Sequence, residues 1–132
     1  MTLQAALLHD IVEDTHVTFD DIERGFGKDV RRIVEEVTDD KQLPKETRKQ
    51  LQVDKAPRLS RAAKMIKLAD KASNVKAIML SPPADWSTER RLEYVSWSDH
   101  VIEGCRGVNR RLEDYYDNAV RECRDALASH ET

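Results

Sequence analysis

Apolar residues recur every three or four positions along almost the whole chain, and no useful length alternates apolar and polar residues with a period of two. The first spacing is typical of amphipathic helices, whereas half-buried strands show the two-residue alternation. The pattern therefore predicts an all-α protein. No internal repeat, low-complexity tract or linker interrupts it, so we expect residues 1–132 to form a single domain.

Capping residues place the ends of the predicted helices. Thr18 with Asp21 three residues later resembles a capping box, and Gly25 and Gly27 favour a stop soon afterwards. Ser60 and Ser87 stand where two later helices begin. The predicted helices cover about residues 3–14, 18–25, 28–37, 45–55, 60–80, 88–104 and 109–128.

Charge is distributed unevenly along a chain whose net charge is −3. Residues 1–40 hold eleven acidic and four basic residues, a net charge of −7, whereas residues 41–76 hold eleven basic and three acidic residues, a net charge of +8. An acidic segment beside a basic one suits a cation together with a phosphate-rich ligand. Solvated helix faces that neutralise one another explain the same pattern equally well, so charge alone does not decide between them.

The predicted helix over 3–14 carries a histidine and three carboxylates close together. His9, Asp10, Glu13 and Asp14 fall within an arc of about 140° on a helical wheel, because His9 lies over Glu13 and Asp10 over Asp14. Crowded carboxylates repel one another unless a cation compensates, and imidazole with carboxylate oxygens suits a divalent first-row metal. The alternative is an acidic helix end with a solvent-facing histidine. Acidic residues at a helix C-terminus oppose the helix dipole, so this alternative explains the pattern poorly.

Asp70 lies at the edge of the apolar face of the predicted helix over 60–80. An aspartate in such a place either pairs with a lysine of its own helix, for which Lys67 is available, or reaches a metal held by another helix. Lys67, Lys71 and Asn74 lie nearby and offer hydrogen-bond donors to phosphate oxygens. The residues themselves leave both interpretations open.

An ordered set of motifs along nearly the whole chain resembles the HD-domain hydrolases of the RelA/SpoT type, and the small stand-alone alarmone hydrolases best. The HD and ED motifs of that family match His9-Asp10 and Glu13-Asp14-Thr15. Further matching segments are Val34–Lys41, Leu51–Pro57, Lys67–Lys71, Asp85–Ser87, Arg91–Tyr94 and Gly104–Gly107.

The resemblance implies an HD-domain helical bundle that hydrolyses the 3′-pyrophosphate of guanosine tetra- or pentaphosphate, a guanine nucleotide alarmone. It implies a Mn²⁺ ion, or another divalent first-row metal, held by His9, Asp10, Asp70 and one further histidine. Glu13 and Asp14 would orient or deprotonate the attacking water. By position, the substrate-binding residues would be Lys45, Asn74, Tyr94 and, less directly, Arg90. Ordinary helix packing is an equal alternative for Tyr94 and Trp86.

In that family the further histidine comes from a helix upstream of the HD helix, and no such segment precedes it here. We therefore expect an N-terminally shortened bundle. Two alternatives to alarmone hydrolysis remain: hydrolysis of another phosphorylated nucleotide such as NADPH, and a catalytically silent fold that binds a nucleotide or a partner.

Composition adds expectations about partners and location. Two cysteines without metal-ligand spacing and the lack of a secretory signal favour the cytoplasm. Overall acidity argues against nucleic-acid binding, and no apolar run is long enough to predict a membrane span. The apolar flank of the predicted helix over 3–14 makes a homodimer an option.

Overall fold

A computed structural model describes residues 18–130, and for His130 it describes the backbone alone. Six α-helices and one 3-10 turn make up this part of the chain, which contains no strand. The all-α prediction is therefore confirmed for residues 18–130, and each predicted helix in that range is found within two residues of its expected ends. The helices are α1 (Phe19–Phe26), α2 (Lys28–Val37), α3 (Lys45–Lys55), α4 (Arg61–Leu80), α5 (Thr88–Glu103) and α6 (Arg110–His130), with the 3-10 turn at Ala56–Arg58.

Local capping explains where these helices begin. The Thr18 hydroxyl accepts from the Asp21 backbone N–H while the Asp21 carboxylate accepts from that of Thr18, which completes the predicted capping box. Ser60 and Ser87 cap α4 and α5 through their side-chain oxygens. Gly27, with φ of +95°, separates α1 from α2 in a conformation that disfavours other residues, whereas Gly25 lies inside α1.

Two clusters of buried apolar side chains form the core, and α4 contributes to both. The smaller cluster joins α1 and α2 to the start of α4 through Ala63 and Ile66. The larger one packs the rest of α4 against α5 and α6, and includes the free thiols of Cys105 and Cys123. Because α4 packs against α2, α5 and α6, it is the central helix of the described bundle.

Buried polar groups and ion pairs fix α6 against α5. The buried hydroxyl of Tyr116 donates to Asp99 at 2.7 Å and lies 3.0 Å from the Ser98 hydroxyl. Arg124 donates to the same Asp99 at 2.6 Å, so this carboxylate is held from two sides. Tyr116 has a raised pKa because burial disfavours its anion.

A close backbone approach joins the end of α5 to the turn after α3. A Cβ atom added at Gly104 would lie 2.7 Å from the Ala56 Cβ and 2.8 Å from the Pro57 nitrogen and Cδ. Only glycine allows this spacing, which sets how closely α3 and α5 meet. Across residues 18–130, no helix has the length and apolar content that spanning a membrane requires.

Candidate active-site cleft

A cleft of two adjoining cavities lies where α3 meets α5 and the segment that follows α2. The larger cavity, about 650 Å³, lies between α3 and the first half of α5. The smaller one, about 270 Å³, is bounded by the end of α2, residues 38–43, α3 and Lys67 of α4. Asp39, Arg48 and Gln52 line both cavities, so they mark the junction of a continuous cleft.

Three of the predicted substrate-binding residues line the larger cavity. Lys45 is the first residue of α3 and is exposed at the rim. Arg90 lies on the opposite wall in α5, where its guanidinium stands 4.3 Å from the ring centre of Trp86. Tyr94 lies one turn further along α5. The structure therefore brings Lys45 of α3 to the same cavity as Arg90 and Tyr94 of α5, which follow it by more than 40 residues in sequence.

Asp70 and Asn74 connect to this cavity through Tyr94. The Asn74 Nδ2 lies 3.5 Å from the Asp70 Oδ2, and Asn74 also lies beside the Tyr94 hydroxyl. Burial raises the pKa of Tyr94 to about 12; the Asn74 amide opposes this shift and the nearby Asp70 charge adds to it. Tyr94 is therefore a neutral phenol at physiological pH, able to donate to a ligand oxygen.

Two lysines of α4 beside Asp70 are buried, which is unusual for this residue type. Lys67 is 8% exposed and lines the smaller cavity, and Lys71 is 4% exposed with its Nζ 4.1 Å from the Trp97 ring centre. The described partner of Asp70 is Asn74, and an ion pair with Lys67 is not found within residues 18–130. Lys67 and Lys71 therefore place two basic side chains on the side of α4 that carries Asp70.

An aromatic ladder forms the α5 wall of the larger cavity. The ring centres of Trp86 and Tyr94 lie 6.0 Å apart, and those of Tyr94 and Trp97 lie 5.4 Å apart in an edge-on arrangement. Trp97 is held in place because its Nε1 donates to the Lys49 carbonyl at 3.1 Å. All three rings also pack against the larger core cluster. Tyr94 and Trp86 therefore pack against the core and also line the cavity.

The remaining predicted site residues, His9, Asp10, Glu13 and Asp14, lie outside the described residues. Within residues 18–130, no group of three or more His, Cys, Asp or Glu side chains is arranged to hold a metal ion. Asp70 fits a metal-ligand role because its carboxylate is only half buried and its described hydrogen bond is long, so oxygen lone pairs remain available. Its chemistry as a hard oxygen ligand suits a divalent first-row ion.

Several residues of the cleft did not emerge from the sequence as site candidates, among them Arg48, Lys49, Gln52 and Trp97. Three of them follow Lys45 at intervals of three, four and seven residues, which places them on the same face of α3. The spacing from a predicted phosphate-binding lysine was therefore a usable signal. Trp97 follows Tyr94 by one turn of α5 and was detectable in the same way.

Comparison with known proteins identifies the family. Residues 1–95 match the HD domain family. The chain belongs to the HD-domain family. Two curated relatives of this HD-domain protein are named guanosine-3′,5′-bis(diphosphate) 3′-pyrophosphohydrolase MESH1. The Xenopus tropicalis protein is 54% identical over 116 residues, covering 88% of this chain and 65% of the relative. The Homo sapiens protein is 54% identical over 114 residues, covering 86% and 64%.

The fold of this HD-domain protein is also that of a solved relative. A metazoan ortholog of SpoT, described as hydrolysing ppGpp, superposes with a TM-score of 0.87 at 47% identity, covering 92% of this chain and 68% of its own. This match confirms the predicted HD-domain bundle. The chain spans a little under two thirds of the length of the two curated relatives. Hydrolases of this family depend on a metal.

Proposed function

We propose that this HD-domain protein hydrolyses guanosine tetra- or pentaphosphate at the 3′ position, releasing pyrophosphate and leaving GDP or GTP. The observation that carries the proposal is that Asp70, Asn74 and Tyr94 lie beside one another at the wall of a cavity whose lining includes Lys45, Arg48, Lys49 and Arg90. This arrangement offers a metal ligand and nucleotide contacts beside a place for phosphate groups. The activity printed in the names of the two curated relatives supports the same reaction.

Mn²⁺ is the metal that we propose, with His9, Asp10 and Asp70 as its ligands from this chain. When bound, such an ion lowers the pKa of water and neutralises phosphate charge. Glu13 and Asp14 orient the attacking water and take its proton. The water oxygen forms a bond to the phosphorus attached to O3′, the bond from that phosphorus to O3′ breaks, and O3′ leaves with a proton.

The described residues supply substrate binding in this proposal. Lys45 contacts a phosphate oxygen from the rim of the larger cavity, and Arg90 does so from the opposite wall. Tyr94 donates its phenolic proton to the nucleotide, and Asn74 holds the Tyr94 hydroxyl in position. Because Tyr94 is neutral at physiological pH, it adds no charge that would repel a phosphate.

The remaining parts of the proposal concern organisation and location. We propose that residues 1–132 form one phosphohydrolase domain, that it works in the cytoplasm without binding nucleic acid, and that it can form a homodimer. The free thiols of Cys105 and Cys123 are compatible with this location.

The deciding experiment measures pyrophosphate release from ppGpp by the purified chain, with Mn²⁺ and with a chelator. Release that requires Mn²⁺ is expected, and Glu13→Gln and Asp14→Asn should each lower kcat by about 10²–10⁴-fold. Asp70→Asn should raise the Mn²⁺ concentration needed for half-maximal activity by about 10–100-fold. Asp114→Asn, the same change at an exposed position of α6 outside both cavities, is the matched control.

Parallel assays with NADPH and with nucleoside monophosphates separate the alternatives. Faster turnover of NADPH than of ppGpp would mean that the enzyme acts on nucleotides that carry a 2′-phosphate and not on ppGpp. Nucleotide binding without turnover of any of these compounds would identify a silent HD fold. Full activity in both Glu13→Gln and Asp14→Asn would refute the roles proposed for these carboxylates.

A further inference from the structure

Two buried polar atoms at the junction of the two cavities have no hydrogen-bond partner within the described part of the chain. They are the Nε of Arg48, a donor, and the Oε1 of Gln52, an acceptor. Both residues lie on α3, four positions apart, and both line each cavity. The other end of the Gln52 amide is fixed, because its Nε2 donates to the Asp39 Oδ2 at 2.6 Å.

Unpaired buried polar atoms are uncommon, and each calls for an explanation such as a bound molecule. Arg91 Nε is also without a partner, but Arg91 lines neither cavity of the cleft. Arg48 and Gln52 differ from Arg91 because each of them borders both cavities, where a ligand has room to bind. A ligand at the junction that offers an acceptor oxygen and a hydroxyl satisfies both atoms at once.

The neighbouring charges indicate what kind of acceptor this is. Lys45, Arg48 and Lys49 lie on one face of α3 and line the larger cavity together, with Arg90 on the facing wall. Four acidic residues line the same cavity, so the basic side chains of α3 form a positive part of a cavity of mixed charge: Asp39, Glu46, Glu89 and Glu93. Lys45 and Arg48 are three residues apart on α3, so their Cα atoms are separated by about 4.5 Å along the helix axis and both side chains can reach one ligand. Two neighbouring cations can each bind one of two linked phosphate groups, and a guanidinium is suited to contact two oxygens.

We propose that Arg48 and Lys45 together hold the pyrophosphate group of a nucleotide, with Arg48 binding the inner phosphate at the junction of the two cavities. The Oε1 of Gln52 accepts a hydrogen bond from a hydroxyl of the sugar that carries this group. The proposal rests on the proposed function for the identity of the nucleotide, but the recognition of pyrophosphate does not depend on turnover. It makes Arg48 a binding residue that distinguishes pyrophosphate from monophosphate ligands.

The two tryptophans of the chain make this binding measurable. Trp86 and Trp97 are the two tryptophans of the sequence, and both line the larger cavity. The tryptophan fluorescence of the protein therefore reports on the cleft. The full chain is titrated with inorganic pyrophosphate and, separately, with inorganic phosphate at constant ionic strength. A chelator is present, so that no metal ion mediates binding. Calorimetry on the same samples gives an independent Kd.

Pyrophosphate is expected to bind the unchanged chain more tightly than phosphate does. Arg48→Gln should weaken pyrophosphate binding by about tenfold or more, the effect of losing one charge-assisted hydrogen bond, and change phosphate binding less than threefold. Arg48→Lys, which keeps the charge but lacks the planar fork, should fall between these values. Arg111→Gln, the same change at an exposed arginine of α6 outside both cavities, should match the unchanged chain.

Two results would overturn the inference. The first is an Arg48→Gln chain that binds pyrophosphate as tightly as the unchanged one while its circular dichroism shows intact helices. The second is an equal loss for pyrophosphate and phosphate, which means a general effect of charge. A chain that binds pyrophosphate through Arg48 and hydrolyses nothing refutes the proposed function alone. A chain that hydrolyses ppGpp with the same KM after Arg48→Gln refutes the inference alone.

Discussion

Gly104→Ala tests whether the contact between α5 and the turn after α3 sets the geometry of the cleft. Gly104 has φ of −74° and ψ of −12°, a backbone conformation that alanine adopts without strain. The added methyl group is therefore the relevant change. It would meet Ala56 and Pro57 at 2.7–2.8 Å, about 1 Å closer than ordinary contact between carbon atoms. Two of the three atoms that it meets belong to the rigid ring of Pro57 and cannot move away by a side-chain rotation.

The expected loss of stability combines two opposing effects. Overpacking of this kind costs about 1–3 kcal/mol. Replacing glycine by alanine at a compatible backbone conformation returns about 0.4–1 kcal/mol by restricting the unfolded chain. The net expectation is a free energy of unfolding lowered by about 1–2 kcal/mol, with a Tm lower by roughly 3–10 °C. The same displacement separates α3 from α5 and so stretches the bond from Trp97 to the Lys49 carbonyl.

Urea unfolding followed by circular dichroism measures the stability change, and the tryptophan emission maximum reports the spacing of α3 and α5. Gly25→Ala is the matched control, because nothing lies within 4 Å of a Cβ at that helical position. It should leave stability unchanged or raise it by up to about 1 kcal/mol. The reasoning fails if Gly104→Ala is as stable as the unchanged chain with an unaltered emission maximum.

Two further predictions concern tyrosines. Tyr116→Phe should lower the free energy of unfolding by about 1–2 kcal/mol in urea titrations, because Asp99 loses a donor and the buried Ser98 loses its neighbour; an unchanged value would contradict the importance of this bond. The pKa of Tyr94 is about 12 in the folded chain and about 10 in the unfolded chain. The neutral phenol therefore contributes its full share of the folding stability below pH 10, and this share is lost as the pH rises toward 12. Urea unfolding between pH 9 and 12 should therefore show a steeper decline in the unchanged chain than in Tyr94→Phe, and equal slopes would refute the shift.

The helix boundaries were predictable from sequence because the signals that set them are local. Thr18, Ser60 and Ser87 cap helices by accepting from the backbone N–H three residues later, so the sequence shows both partners at once. The stop after α1 was less clear, since Gly25 and Gly27 are equivalent in sequence. Of the two, only Gly27 has a positive φ, and it joins α1 to α2, which pack against each other.

The cleft was predictable only in part, because its chemistry depends on contacts between distant segments. The resemblance indicated Lys45, Arg90 and Tyr94, and the structure places all three around one cavity. The unpaired atoms of Arg48 and Gln52 follow from how α3 lies against α5 and the 38–43 segment, which no local pattern specifies. The predicted metal ligands other than Asp70 lie outside the described residues, so the metal site stays a prediction.

The position of α4 in both core clusters has a consequence for how the bundle opens. Ala63 and Ile66 belong to the cluster of α1 and α2, whereas Leu68, Ala72 and the rest of α4 belong to that of α5 and α6. Partial opening that releases α1 and α2 breaks only the first set of contacts, so the backbone amides beyond Leu68 stay protected against exchange with solvent until the whole bundle unfolds. Asp70 and Asn74 lie beyond Leu68, so an opening limited to α1 and α2 leaves their spacing unchanged.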